Sequence, residues 1–210
     1  SNLSESNLSY SDLSGSNLSY SNLRGSNLSG SNLSYSDLRG SDLRGSNLSC
    51  SDLRGSNLSG SNLSCSNLSE SNLSYSDLSG SNLSCSNLSE SNLRGSNLSE
   101  SDLSYSDLSE SNLSESNLRG SDLSCTLLIG VIGDGNKIHT MQTTVWTVVI
   151  CLSQNTMAIG CEQHSINDWA IFKDSRIAIM HASALSFWKN WKSVIFQYIE
   201  LLRQPTKDKK

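Results

Sequence analysis

An all-β solenoid closed at one end by a small α+β module is the fold class this sequence predicts. Three observations predict it: a five-residue period that never slips over residues 1–125, a Leu at the third position of every period, and an abrupt change of composition at Thr126. A period of five matches neither the 3.6-residue repeat of a helix nor the two-residue repeat of an ordinary strand. Strict self-similarity at a fixed period is the mark of a solenoid. A Ser/Asn/Gly-rich tract could also be disordered, but disorder has no reason to demand Leu at every fifth residue.

The period is S-[ND]-L-[SR]-[GYEC], and Ser1 to Cys125 contains 25 such units without exception. The unit resembles that of the pentapeptide-repeat family, A-[DN]-L-x-x, with Ser in the small-residue position. The resemblance covers all of Ser1–Cys125 and implies a right-handed quadrilateral parallel β-helix. Each unit forms one side and 20 residues make one coil. The Leu and the Ser two residues before it point inward, and the other three positions point out. At strand spacing of about 4.8 Å per coil, the 25 units make a rod of roughly 30 Å. Each inward hydroxyl then needs a backbone or Ser partner, because an unpaired buried one costs about 1–3 kcal/mol.

Residues 20 apart stack in columns. Asn7, Asn27, Asn47, Asn67 and Asn87 form one, followed by Asp107, and are expected to build an amide ladder. Charge is uneven among the four sides. The side that starts at Ser6 carries Glu70, Glu90, Asp107 and Glu110 and no Arg, which makes these four the candidate interaction residues. Every Arg in the repeats is followed by Gly, read as room for the long side chain to lie flat. Cys65 and Cys85 are neighbours in a column, and two outward thiols are expected there.

Some proteins of the family resemble B-form DNA in shape and charge and bind DNA gyrase or topoisomerase IV. Duplex DNA carries one charge per ~1.7 Å, about 18 over 30 Å. The repeat region has 14 acidic residues and 6 Arg, a net charge of −8. That average is thin for a mimic, so the type II topoisomerase partner is the alternative and a structural, protein-binding scaffold is the first reading. Ice or carbohydrate binding by the Asn/Ser ladders is a third.

Residues 126–210 read as an α+β capping and interaction module with ordinary globular composition, holding all four Trp and all three Phe. Thr126–Ile132 is expected as a strand leaving the last coil, Gly133–Asn136 as a turn, and Thr143–Leu152 as a strand rich in β-branched residues. Ser153–Asn155 turns the chain, and Met157–Cys161 pairs back. Ser165-Ile166-Asn167-Asp168 has capping-box form and opens a short helix through Phe172. Asp174 is expected to cap a second helix. The longest runs from Ser183 to about Arg203, with apolar residues at helical spacing. Phe187, Trp188, Trp191, Val194, Ile195 and Tyr198 are its candidate cap and dimer residues, and a homodimer through this module is expected. The segment Ile159–His164, with Trp169, Phe172, Met180 and Ala184–Trp188, resembles the C-terminal module of phage and prophage members of the family.

Terminal coils expose unpaired backbone and Leu, so solenoids need caps. The module supplies one, and the coil at Ser1 is expected to be covered by another copy, a partner or further chain. No enzyme motif stands out. Cys151, Cys161, His164 and His181 are weak candidates for a metal site, but their spacing fits no strong zinc pattern. Gly130, Gly133 and Gly135 lack the Lys-Ser/Thr of a phosphate loop. No cofactor is expected, and an acidic rod repels nucleic acid. There is no apolar run long enough to span a bilayer. Six Cys without a disulfide-type framework fit a reducing, cytoplasmic setting.

Overall fold

Each five-residue unit from Ser1 through the one that starts at Ser111 makes one backbone bridge, at its second residue, to the residue 20 positions later. The computed structural model describes residues 1–128, 131–132, 139–143, 146–152, 155–160 and 162–203. The bridges are all parallel, from Asn2↔Asn22 to Asn112↔Ile132. Two bonds make each one: Leu3 N–H donates to Asn22 O at 2.7 Å, and Asn22 N–H donates to Ser1 O at 2.9 Å. Four bridges per 20-residue circuit give a four-sided coil. Each corner is a tight turn in which the next Ser N–H donates back to the Leu carbonyl, as Ser26 does to Leu23 at 3.1 Å. The fifth residue sits at positive φ, between +53° at Tyr20 and +72° at Gly120.

Leu23 through Leu108, every fifth residue, is fully buried in one continuous cluster. The inward Ser hydroxyls are satisfied locally: Ser26 Oγ donates to Leu23 O at 2.6 Å, and the same bond recurs around the coil. One Leu carbonyl thus accepts both the corner N–H and the hydroxyl, so Ser is small enough for the corner and brings its own partner. Among the described residues, Ser16, Ser46, Ser91 and Ser111 hydroxyls lack one.

The expected amide ladder is largely absent for a physical reason. The Asx oxygen closes its own turn instead. Asn7 Oδ1 accepts from Ser9 N–H at 3.2 Å and from Ser9 Oγ at 2.8 Å, an Asx-turn. Coil-to-coil amide bonds occur elsewhere, from Asn92 to Asn72 at 3.4 Å, from Asn97 to Asp77 at 3.2 Å and from Asn117 to Asn97 at 3.0 Å.

The coil does not stop at Cys125. Leu127 bridges Asp107 and Ile132 bridges Asn112, Leu128 is buried in the Leu cluster, and Thr126 Oγ1 donates to Leu103 O at 2.8 Å. Residues 126–128 therefore continue the repeat, with Thr for Ser and Leu in its usual place. They are not a strand leaving it. The Gly133–Asn136 turn and the Pro205–Lys210 tail lie outside the described residues.

Beyond the rod comes a four-stranded antiparallel meander in sequence order: β1 (His139–Gln142), β2 (Thr147–Cys151), β3 (Thr156–Ile159) and β4 (Glu162–Ser165). β2 and β3 fall where their apolar runs predict. The edge strands β1 and β4 are short and polar, so their sequences carry little strand signal. Two faces of the central strands are used. Val149 and Ala158 join the Leu cluster of the rod, while Val148, Ile150, Met157 and Ile159 join the helices. Burial on both faces explains why β2 and β3 read as continuous apolar runs without alternation.

Three helices follow: α1 (Ile166–Ile171), α2 (Asp174–Ala178) and α3 (Ala184–Arg203). Ser165 caps α1 as its sequence predicts, accepting from Asp168 N–H at 3.0 Å. Asp174 is not a cap. Lys173 holds that position without a side-chain bond, and Asp174 places its charge in the first turn. Trp169 Nε1–H donates to Met157 O at 2.7 Å, tying α1 to β3.

Candidate interaction surfaces

Glu70, Glu90 and Glu110 take the corner position in three successive coils above Cys50, and all are exposed. The parallel bridges Asn47↔Asn67, Asn67↔Asn87 and Asn87↔Asp107 hold them one coil apart, about 4.8 Å. Cys50 Sγ lies 3.9 Å from Glu70 Oε2. Asp107 is half-buried at the Asx position of the last of these units.

Charge is also sorted along the axis. Residues 1–60 hold five acidic residues and four Arg, whereas residues 61–125 hold nine acidic residues and two Arg. In the first part, three Arg are held by the Asp of their own unit: Arg39 by Asp37 at 2.6 Å, Arg54 by Asp52 at 2.5 Å, and Arg44 by Asp42. Those guanidinium hydrogen bonds hold the three carboxyls below the usual carboxylate range. The D-L-R triplets that make these pairs are visible in the sequence, but the average charge hides their confinement to one end. In the other half, Arg94 pairs across coils with Glu115 at 2.9 Å.

The thiols of Cys50, Cys65 and Cys85 are free and exposed. Desolvation first, then the neighbouring Cys65, pushes the Cys85 thiol up. Cys65 and Cys85 are thus the outward thiols expected, whereas Cys125 is disulfide-bonded. The weak metal candidates have other engagements. His164 Nε2 lies 2.9 Å from Glu162 Oε2, and the ring meets Trp169 and Phe172 edge-on. His181 Nδ1 lies 3.0 Å from Ser183 Oγ at the start of α3. Cys161 and the side chain of Cys151 lie outside the described residues. Among those described, no three His, Cys, Asp or Glu side chains cluster to hold a metal ion.

The aromatic stripe of α3 is spent mainly inside the module. Phe187, Trp188 and Ile195 are buried in its core, Trp191 and Tyr198 are half-buried, and Val194 is exposed. Among the described residues, no helix is long and apolar enough to cross a membrane.

A residue outside the candidate set seals the junction. In the rod, each Leu N–H and the carbonyl two residues before it bond to the backbone of the following coil. At the last coil, Gln163 of β4 supplies both partners. Its Oε1 accepts from Leu123 N–H at 3.0 Å, and its Nε2 donates to Ser121 O at 3.4 Å. The side-chain amide thus supplies the carbonyl and the N–H that the second residue of a following unit supplies elsewhere in the rod.

None of the curated proteins compared matches the chain. Among solved structures, it is similar to the pentapeptide repeat protein Rfr23 from the cyanobacterium Cyanothece 51142, at 35% identity over 44% of this chain and 60% of that one, with a TM-score of 0.38. It is also similar to HetL, a pentapeptide repeat protein involved in heterocyst differentiation regulation from Nostoc sp. strain PCC 7120, at 29% identity over 62% of this chain and 67% of that one, TM-score 0.28. A third is trypsin-treated QnrB1, a plasmid-mediated fluoroquinolone resistance protein, at 20% identity over 63% of this chain and 79% of that one, TM-score 0.37. The chain thus spans about 60% of the length of the first of these. The pentapeptide repeats themselves match in eight copies over residues 1–34, 21–60, 61–99 and 96–132. With bridges every 20 residues, a buried Leu column and this match over more than half its length, the chain belongs to the pentapeptide repeat family.

Proposed function

We propose that the chain is a non-enzymatic interaction scaffold of phage origin, in which the rod fixes the spacing of outward side chains and the C-terminal module engages a protein partner. One observation carries this reading. The abundant polar groups of the repeat are consumed by the coil itself, with Ser hydroxyls on Leu carbonyls and Asx oxygens on their own turns. What remains outward is a lattice of charges and rings at fixed intervals, suited to being recognised and not to moving protons. The phage origin rests on the resemblance read from Ile159–His164, Trp169, Phe172, Met180 and Ala184–Trp188.

A second reading, inhibition of a type II topoisomerase by DNA mimicry, gains from the axial sorting of charge. Residues 61–125 carry a net charge of −7 over about 16 Å of rod. Duplex DNA of that length carries about nine charges, so this half comes near the density that the whole rod lacks. A gyrase supercoiling assay separates the readings. No inhibition at micromolar protein is the result expected of the scaffold. Inhibition by the wild type that is lost when Glu70, Glu90 and Glu110 are all changed to Gln would replace it with the mimic.

A further inference from the structure

The C-terminal module contains a cavity of about 160 Å³ that the scaffold reading does not use. Its walls are Trp169 of α1, Trp146 ahead of β2, and Ala184, Phe187 and Trp188 at the start of α3, with Glu162 of β4 as an acidic group. Size is the first argument: an apolar cavity of about 150 Å³ holds one benzene molecule. Rigidity of the walls is the second. The Trp146 and Phe187 ring centroids lie 4.8 Å apart and those of Trp169 and Trp188 5.2 Å apart. Trp169 is further fixed by its 2.7 Å bond to Met157 O. These rings cannot simply collapse inward, and the cost of an unfilled apolar cavity grows with its volume. The third argument is polar. Glu162 uses Oε2 for His164 and Arg176, while its Oε1 has no hydrogen-bond partner among the described residues. Glu162 and His181 are the polar side chains of the lining, and a small, mostly apolar cavity with a few polar groups is the common form of a small-molecule site.

We infer that this cavity binds a single aromatic ring carrying one hydrogen-bond donor, as in phenol or indole, with the ring among the tryptophans and the donor on the Glu162 carboxylate. The ring's source is a free small molecule or a tyrosine side chain, and the test has an arm for each. The full chain is titrated with phenol, with the less polar toluene and with N-acetyl-tyrosinamide, read by tryptophan fluorescence and calorimetry. Saturable one-site binding of phenol is expected, at least about threefold tighter than toluene, because a charged acceptor strengthens the hydrogen bond. Glu162→Gln should erase that preference and retain ring binding. Ala184→Leu should fill the cavity and abolish binding while its melting temperature holds or rises. If that variant misfolds, Ala184→Val tests the same point more gently. Binding of N-acetyl-tyrosinamide as tight as phenol assigns a partner's tyrosine, and binding of phenol alone assigns a free ligand. Failure of phenol to saturate the wild type by about 10 mM, or unchanged binding by a folded Ala184 variant, overturns the proposal.

Discussion

At the scale of the residue, the corner position decides what each unit can tolerate. All 25 corner residues have positive φ, yet only ten are Gly and the others are Glu, Tyr or Cys. The backbone alone therefore does not demand Gly. At Gly95 a neighbour does: a Cβ there would meet the Tyr75 ring of the preceding coil at 2.6 Å, whereas at Gly60 it would meet nothing within 4 Å. Gly30, Gly40 and Gly55 lie in the same way under Tyr10, Tyr20 and Tyr35. This revises the reading of Arg-Gly as room for Arg. After Arg39, Arg54 and Arg94, the space belongs to the Tyr ring one coil before. Gly60→Ala should cost about 1 kcal/mol, the penalty for a left-handed non-glycine residue. Gly95→Ala should cost more, and the excess should vanish in combination with Tyr75→Ser. Equal denaturant midpoints for the two single variants would count against the interlock.

At the scale of the element, the rod is a stack in which every coil satisfies the next, so the last coil takes its partners from outside the repeat. Gln163→Ala leaves Leu123 N–H and Ser121 O without the partners described above. It should cost about 1–3 kcal/mol, and hydrogen exchange should rise first at Leu123, not mid-rod. Protection at Leu123 equal to wild type would mean the amide is incidental. Within a coil, Leu63→Asp should unfold its neighbours, since it places an unpaired charge where exposure is 0%. Ser64→Ala loses only its 2.9 Å hydroxyl bond to Asn62 and should leave circular dichroism and melting almost unchanged. Equal tolerance at the two positions would refute the inward and outward assignment.

At the scale of the whole molecule, the sorted charge should make stability respond to salt. Glu70, Glu90 and Glu110 stand one coil apart, well within the ~10 Å screening length at 0.1 M salt. Their mutual repulsion opposes the coil, so melting temperature should rise as sodium chloride increases from low to moderate concentration. In the variant with all three changed to Gln, the starting melting temperature should be higher and the salt response smaller. A melting temperature that falls with salt, or a response unchanged in the variant, would show that the column contributes no repulsion.

How much of this was legible before the structure depends on the range of the interaction concerned. The period, the inward Leu and Ser, the columns and the acidic corner residues were determined by the sequence itself, because each coil repeats one local rule and position modulo 20 becomes position in space. The Ser165 cap and the extent of α3 were legible for the same reason, being set within a few residues. The preference of Asn7 for its own turn over a ladder depended on which acceptor lies nearer, and only the folded coil settles that. The continuation of the coil through Thr126–Leu128 was hidden because Thr and Leu replace the usual Ser and Asn while keeping size and burial. The edge strands β1 and β4, the two-faced burial of β2 and β3, the Gln163 bonds and the aromatic cavity were decided by tertiary structure alone. The Gln163 bonds and the cavity join segments tens of residues apart, and the whole module lacks a repeat that would translate sequence spacing into distance.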